Sequence, residues 1–487
     1  MKNLYKYGVP AIFIMLIAYV FVGMLIQAAF IKNISAYIPE FIILIITAAA
    51  ITFSLLHNKR KDFLSVSVHS EMSDAWFFVI LTLAATVPRI VWINLNHIPP
   101  ISDFKTYHTM ATALSEGVVT QKLYTAMFPH IIGYPFVLSL LYRLFGTTVL
   151  TAQYFNVFCC LASSFTIYYI CKKQFNNNSI ARTCGIIYAL WPSQIFYVTI
   201  ISTEALYTLL FLLCVLIYIY NRNNFSAVTR LLMFGLLGII CSLSNAIRPI
   251  SLVFIIAVLT DTLFSLIKDK TVLKTASVLV MLLLYLGTNA CTSQIISKAV
   301  DRPIAKNSFG YTFLVGSNIE SGGGWNADDA NLFFDLYESG NYTLDEVNAI
   351  LTNKGIDNIK SNFPQIIPHY LHKSVTFLCD DIYGVLWNKL SYESANDAPW
   401  DNRGQNFFLT LSQLYYAVAL LMSVYAVIFT FTRKNPDDLC FFILIFLGFS
   451  ASFVIAEVQS RYHYPVLPML AILASYGMCK LHVHGGE

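Results

Sequence analysis

The acid most open to chemistry is Asp103, in the stretch Pro99-Pro100-Ile101-Ser102-Asp103-Phe104-Lys105-Thr106-Tyr107. Two prolines stop the preceding apolar run, because proline lacks a backbone donor and restricts the residue before it. Ser102 is expected to cap a new helix and Gly117 to end it. Phe104, Tyr107, Ala111 and Leu114 recur at helical spacing, so one face is apolar and the helix can lie flat at a membrane surface. A carboxylate in its first turn is either a helix-dipole partner or a base. Other charges need a reason as well. Glu204 follows Ser202 and Thr203 and either completes a helix N-terminus or joins Asp103. Arg248 precedes Pro249 and is either an interface anchor or a ligand for an anion. Glu457 and Arg461 are four apart and either pair with each other or serve the same site. Arg89 lies in the outer third of an apolar run. Arginines on an outer membrane face run against the positive-inside bias, and a lipid phosphate would explain them.

That argument needs elements that bring these residues to one depth. The chain is 57% hydrophobic and 12% charged, against roughly 25% charged in soluble domains, which makes it an all-α polytopic membrane protein. The expected architecture is a bundle of about twelve spans, thirteen being possible, with a large non-cytoplasmic loop region. The spans are placed near 9–30, 38–56, 75–95, 149–171, 180–200, 203–220, 229–247, 249–267, 272–290, 407–431, 438–456 and 462–480. With both termini inside, the basic residues of the short loops, from Lys2 to Lys480, fall on the cytoplasmic side. The net charge of +4 is small and spread over these loops, so it reports topology rather than nucleic-acid binding. The segment 131–145 is too short for an upright span, at about 22 Å, and Arg143 at mid-bilayer would cost about 2.5–3.5 kcal/mol. It is therefore laid along the outer surface.

The domains follow: 1–60 with two N-terminal spans, a core at 75–290 with its first outer loop at 96–148, an outer segment at 291–405, and C-terminal spans at 406–487. The outer segment carries Gly316-Ser317-Asn318 and Ser321-Gly322-Gly323-Gly324-Trp325-Asn326, a tight loop by composition but no phosphate-loop pattern. Thr343 and Glu346 predict a capping box. Most cysteines sit in apolar runs as small hydrophobes, while Cys291 and Cys379 lie in the outer segment and could form a bridge. His369 and His372 are three apart without a third ligand in view, so no metal is assigned.

Taken together, these residues resemble the GT-C glycosyltransferases, in particular the protein O-mannosyltransferase (glycosyltransferase family 39) and lipid A aminoarabinose transferase group. The resemblance is carried by Arg89, Pro99-x-x-x-Asp103-x-x-x-Tyr107-x-x-x-Ala111, Gly117, Gly133-Tyr134-Pro135, Leu144-Phe145-Gly146, Trp191-Pro192 with Ser202-Thr203-Glu204, and Arg461-Tyr462 with Pro465 and Pro468. It covers roughly residues 75–480. It implies a sugar donor carried on polyprenyl phosphate, a glycan, lipid or protein acceptor, and transfer on the non-cytoplasmic face, usually with inversion. By resemblance Asp103 is the catalytic base and Glu204 a second acid. Arg89, Tyr107, Arg248, Glu457, Arg461 and Tyr462 are then candidates to hold donor or phosphate. Many members have two adjacent acids in the first loop. Here Phe104 follows Asp103, so no cofactor is called for and a divalent metal stays open.

The expected activity is hexosyl or pentosyl transfer in the plasma membrane, of bacterial cell-envelope type. A polymerase or ligase of lipid-linked glycans is the alternative, since it also uses outer acids and arginines. A transporter fits less well, because transporters place polar groups at mid-bilayer and often repeat internally, and neither is seen in this sequence.

Overall fold

The computed structural model describes residues 4–30, 72–222, 226–268, 272–396, 398, 400, 402–432 and 437–483. The expected span at 38–56 lies outside them. The described chain is helical, and seven of its helices are long and apolar enough to cross a membrane. The first is α1 (Val9–Phe30), followed by α2 (Asp74–Leu95), which Ser73 caps by accepting from the Trp76 amide. On α2, Phe77, Leu81, Ala85, Arg89 and Trp92 are buried at helical spacing, while Trp76, Val79, Ile80, Leu83, Val87, Val91 and Leu95 are exposed. An apolar outer face of that size is what a bilayer covers.

Next come the surface helices α3 (Ser102–Ser115), α4 (Lys122–Met127) and α5 (Gly133–Phe145). α5 packs along α3, and Arg143 on it donates from Nε to the Ser115 carbonyl and from Nη2 to that of Leu114, both at 2.9 Å. The arginine that would be costly inside a membrane thus closes the C-terminal end of α3. α6 (Val149–Phe175) starts on a Thr148 cap. The single span expected at 180–200 is instead broken into α7 (Asn178–Ala189) and α8 (Pro192–Tyr197). Proline at the start of α8 cannot continue the amide ladder of α7.

α9 (Glu204–Asn221), α10 (Ala227–Ile247), α11 (Leu252–Lys268) and α12 (Val272–Val300) follow. α10 and α12 pack closely against each other. At 29 residues α12 is about 43 Å long, so its last turns stand beyond a core of about 30 Å. There it joins the expected outer segment, formed by α13 (Phe309–Ser317), α14 (Ala327–Glu338), α15 (Leu344–Ser361), α16 (Ile366–Leu378) and α17 (Tyr383–Asn396). The expected capping box at Thr343 and Glu346 is present at the start of α15. Tyr311, Leu314, Phe333, Val347 and Leu351 form a core of their own here, shared with Met127 and Phe128 of the first outer loop. Both outer segments are therefore one packed body. Cys291 is exposed on α12 and Cys379 is buried, and the two are not joined by a disulfide.

The chain closes with α18 (Asn402–Thr432), α19 (Asp437–Ile455), a 3₁₀ turn at Ser460–Val466 and α20 (Leu467–Val483). α20 packs against α18 and α7. The ends of α2, α10 and α19 and the starts of α9 and α20 all meet the outer body. Lys172 and Lys173 at the end of α6, Arg222 after α9, Arg230 at the start of α10 and Lys274 at the start of α12 lie at the opposite end of the bundle.

Candidate functional site

α3 begins in an unusual way. Ile101 occupies the cap position without a side-chain bond, and Ser102 does not cap but is the first helical residue. It has a φ of 50°, a left-handed conformation that costs a non-glycine residue of order 1 kcal/mol. The expected stop at Gly117 holds: its amide reaches the Leu114 carbonyl and its φ is 85°.

This start places the Asp103 carboxylate toward the 3₁₀ turn after α19. Asp103 Oδ2 lies 3.3 Å from Arg461 Nη2, and the Asp103 side chain stays about half exposed, at 49%. Arg461 is buried. The faces of Phe104 and Trp387 lie 5.1 Å from its guanidinium and that of Tyr462 at 5.6 Å. Its Nε is buried and meets no acceptor among the described residues. Aromatic faces attract a cation without neutralising it.

The second arginine stands against the same tyrosine. Arg248 ends α10, stands 5.1 Å from the Tyr462 ring, and donates from Nη1 to Glu204 Oε1 at 2.5 Å and to Thr203 Oγ1 at 3.3 Å. Glu204 is buried at the first position of α9, so both its dipole role and its ion pair are realised. The Tyr462 hydroxyl donates to Glu457 Oε1 at 2.9 Å, and Gln459 Nε2 donates to the same oxygen at 3.0 Å. Glu457 therefore bonds to these neighbours rather than to Arg461, because the turn between them is not α-helical. Burial pushes the Glu457 carboxyl up, against the lowering effect of Tyr462 and Arg461. Tyr107 packs edge-on to Tyr134 at 5.8 Å, and burial together with the charges of Asp103 and Glu204 raises its hydroxyl pKa.

Seven of the eight residues singled out in the sequence thus meet in one cluster. Arg89 does not. It is fully buried and donates from Nη1 to the carbonyls of Ala85 at 2.8 Å and Ala189 at 2.7 Å. Ala189 is the last residue of α7, where the helix break leaves a carbonyl without its amide partner.

Three supporting features are not legible as site residues. Phe104 and Trp387 frame Arg461. Asp381 is fully buried and accepts from Trp191 Nε1 at 2.6 Å, Ser193 Oγ at 2.8 Å and His463 Nε2 at 2.9 Å. Nδ1 of His463 lies 2.8 Å from the Phe377 carbonyl, so both ring nitrogens are held by hydrogen bonds. That pair ties the turn carrying Arg461 to the break between α7 and α8. Lys373 on α16 donates to the carbonyls of Gly316 and Ala456, both at 2.7 Å, and the Val458 amide donates to Gly323. The glycine-rich loop is thereby seated on the strand of chain that leads into Glu457. His369 joins it, with Nε2 at 3.0 Å from the Gly316 carbonyl.

No protein-family model matches this chain, and no curated protein sequence does. Solved structures that it resembles include an oligosaccharyltransferase from Archaeoglobus fulgidus complexed with zinc and sulfate, at 10% identity and a TM-score of 0.47, over 84% of this chain and 50% of that one. ArnT from Cupriavidus metallidurans, bound to undecaprenyl phosphate, is 11% identical with a TM-score of 0.40, over 84% and 78% of the two chains. The archaeal oligosaccharyltransferase AglB from Archaeoglobus fulgidus, in complex with an inhibitory peptide and a dolichol-phosphate, is 10% identical with a TM-score of 0.44, over 82% and 50%. The chain thus spans about half the length of the two oligosaccharyltransferase structures.

Proposed function

We propose that this protein is a membrane glycosyltransferase that moves a sugar from a polyprenyl-phosphate carrier to an acceptor hydroxyl on the non-cytoplasmic face, with inversion at the anomeric carbon. The observation that carries the reading is the contrast between two carboxylates in one cluster. Glu204 is buried and committed to Arg248. Asp103 is half exposed and held by one bond at 3.3 Å, so it can reach a substrate hydroxyl.

In this reading Asp103 takes the proton of the acceptor hydroxyl, whose oxygen attacks the anomeric carbon. The bond from that carbon to the phosphate oxygen breaks, and the phosphate leaves with the electron pair. A placed carboxylate contributes about 10²–10⁴-fold. Arg461 and Arg248, both held against the Tyr462 ring, face the charge that grows on the departing phosphate. Glu204 holds Arg248, and Glu457 holds Tyr462. One displacement with one base supports inversion. The basic residues at the opposite end of the bundle support an extracytoplasmic site in a cell membrane.

The test is to incubate purified protein with a panel of polyprenyl-phosphate hexoses and pentoses plus acceptor hydroxyls. Release of free polyprenyl phosphate, dependent on acceptor, is the expected result. Its absence across the panel, in protein that still binds polyprenyl phosphate, contradicts the proposal.

A further inference from the structure

Beside the Asp103 cluster, the outer body turns one large aromatic side chain to solvent. Trp325 follows the glycine-rich loop and is 60% exposed, although the backbone on both sides of it is fixed. Before it, the Gly323 carbonyl accepts from the Val458 amide at 3.0 Å. Gly322 and Gly323 have φ of 65° and 77°, a turn that glycine makes without strain. After it, Asn326 caps α14 by accepting from the Asp329 amide at 2.9 Å. A tryptophan left largely outside the core on so firm a support presents a flat apolar face with a polar edge.

The Val458 contact sets this loop against the chain that carries Glu457 and Gln459. Glu457 Oε1 is occupied by the Tyr462 hydroxyl and the Gln459 amide. Glu457 Oε2 and Gln459 Oε1 accept from no described residue, and both side chains keep some solvent exposure. Two acceptor oxygens held together by one hydrogen bond suit two adjacent hydroxyl donors. Tyr311 links the two halves: burial raises its hydroxyl pKa, the Glu457 charge adds to this, and a bond with Trp325 opposes it. Tyr124, from the first outer loop, stands near both acids, since burial and then the charges of Asp103 and Glu457 raise its pKa. A flat apolar face, a rim of free acceptors and the proposed base therefore meet in one place. A pyranose ring has the matching chemistry, with a C–H face that packs on an indole and hydroxyls that turn to polar groups. The donor comes to the cluster from the bilayer on its polyprenyl tail, whereas Trp325 is reached from water.

We propose that Trp325, Glu457 and Gln459 form the acceptor subsite and that the acceptor is a carbohydrate, stacked on Trp325 and hydrogen-bonded by Glu457 and Gln459. This rests on the glycosyltransferase reading above.

The full chain in detergent micelles is titrated with methyl glycosides of hexoses and pentoses, and separately with an uncharged serine- and threonine-containing peptide. Binding is read by saturation-transfer difference NMR, which needs no turnover. At least one glycoside is expected to bind, with the strongest saturation on the C–H groups of one ring face. Trp325→Ala should weaken that binding roughly 10-fold and leave polyprenyl-phosphate binding unchanged. Glu457→Gln should weaken glycoside binding by about the same factor. A glycoside signal that both variants keep in full overturns the proposal. So does a peptide that binds where no glycoside does, or no signal across the panel in protein that still binds polyprenyl phosphate. Displacement of the glycoside by a polyprenyl-phosphate hexose, but not by polyprenyl phosphate, assigns the platform to the donor sugar and overturns the acceptor subsite. Glycoside binding lost in both variants, without sugar transfer to any acceptor, supports the platform and counts against the glycosyltransferase reading alone.

Discussion

Two guanidiniums stand against the Tyr462 ring, and they differ in how they are held. Arg461 is kept in place by the faces of Phe104, Trp387 and Tyr462, so it can meet an anion without first breaking a strong ion pair. Arg461→Ala is expected to weaken polyprenyl-phosphate binding by roughly 10–100-fold, the scale of a charge-assisted hydrogen bond, with acceptor binding kept. Equilibrium binding of both ligands to the variant checks this. Arg248 is different, because Glu204 neutralises it in a buried site. Glu204→Gln leaves that arginine buried without its counter-charge, and a loss of stability of about 3–5 kcal/mol is expected, read by denaturant unfolding in detergent. These charges were legible in the sequence because each interrupts an apolar context at a helix end. Arg89 shows the limit of that signal. It interrupts an apolar run in the same way, but sequence gives a residue's depth and not the carbonyl it faces. The Ala189 carbonyl becomes free only through the break at Pro192, and Arg89 answers it.

Helices and turns account for how the cluster keeps its shape. α3 is held between its strained start at Ser102 and the Arg143 contacts at its far end, so α5 acts as a splint rather than a span. The glycine-rich loop was a weak signal in the sequence, because the chain it docks on is remote. Its fit is tight at Gly316, where an added Cβ would stand 2.4 Å from the Ile455 carbonyl oxygen. Gly316→Ala is expected to cost roughly 1–3 kcal/mol as an overpacked contact, visible as a lowered Tm. Lys373 clamps the same junction. Burial pushes its pKa down to about 7, with Glu457 opposing, and a neutral amine still has two protons for the two carbonyls. Its folded pKa is thus below its unfolded value of about 10.4. Its contribution to stability is complete above pH 10.4, falls as pH drops toward 7, and is constant below that. Lys373→Met should therefore show a flatter Tm-versus-pH curve between pH 7 and 10 than the wild type. An unchanged slope would mean that the lysine is charged in the folded state.

Over the whole molecule, apolar run length and charge asymmetry revealed the helical, polytopic plan and most of its helix ends. They did not reveal the break at Leu190-Trp191-Pro192, since Trp191 and Ile195 are as apolar as any span residue; Pro192 interrupts the helix there and the buried Asp381 holds the bend. Nor did composition show that the two outer segments share a core through Phe128 and Phe333. The proposed sidedness is checked by placing cysteine at Ser115 or Asn341 in a background without Cys291. An impermeant thiol reagent should label both in intact cells. Labelling only after lysis would move the cluster to the cytoplasmic side and remove the argument from outer arginines. The most direct measurement is the single-turnover rate of Asp103→Asn on saturating polyprenyl-phosphate sugar and acceptor. The side chain keeps its size and can still meet Arg461, but it cannot take a proton. The account predicts a rate lower by on the order of 10²-fold or more, with donor affinity and Tm close to wild type. Near-normal transfer by Asp103→Asn would contradict it.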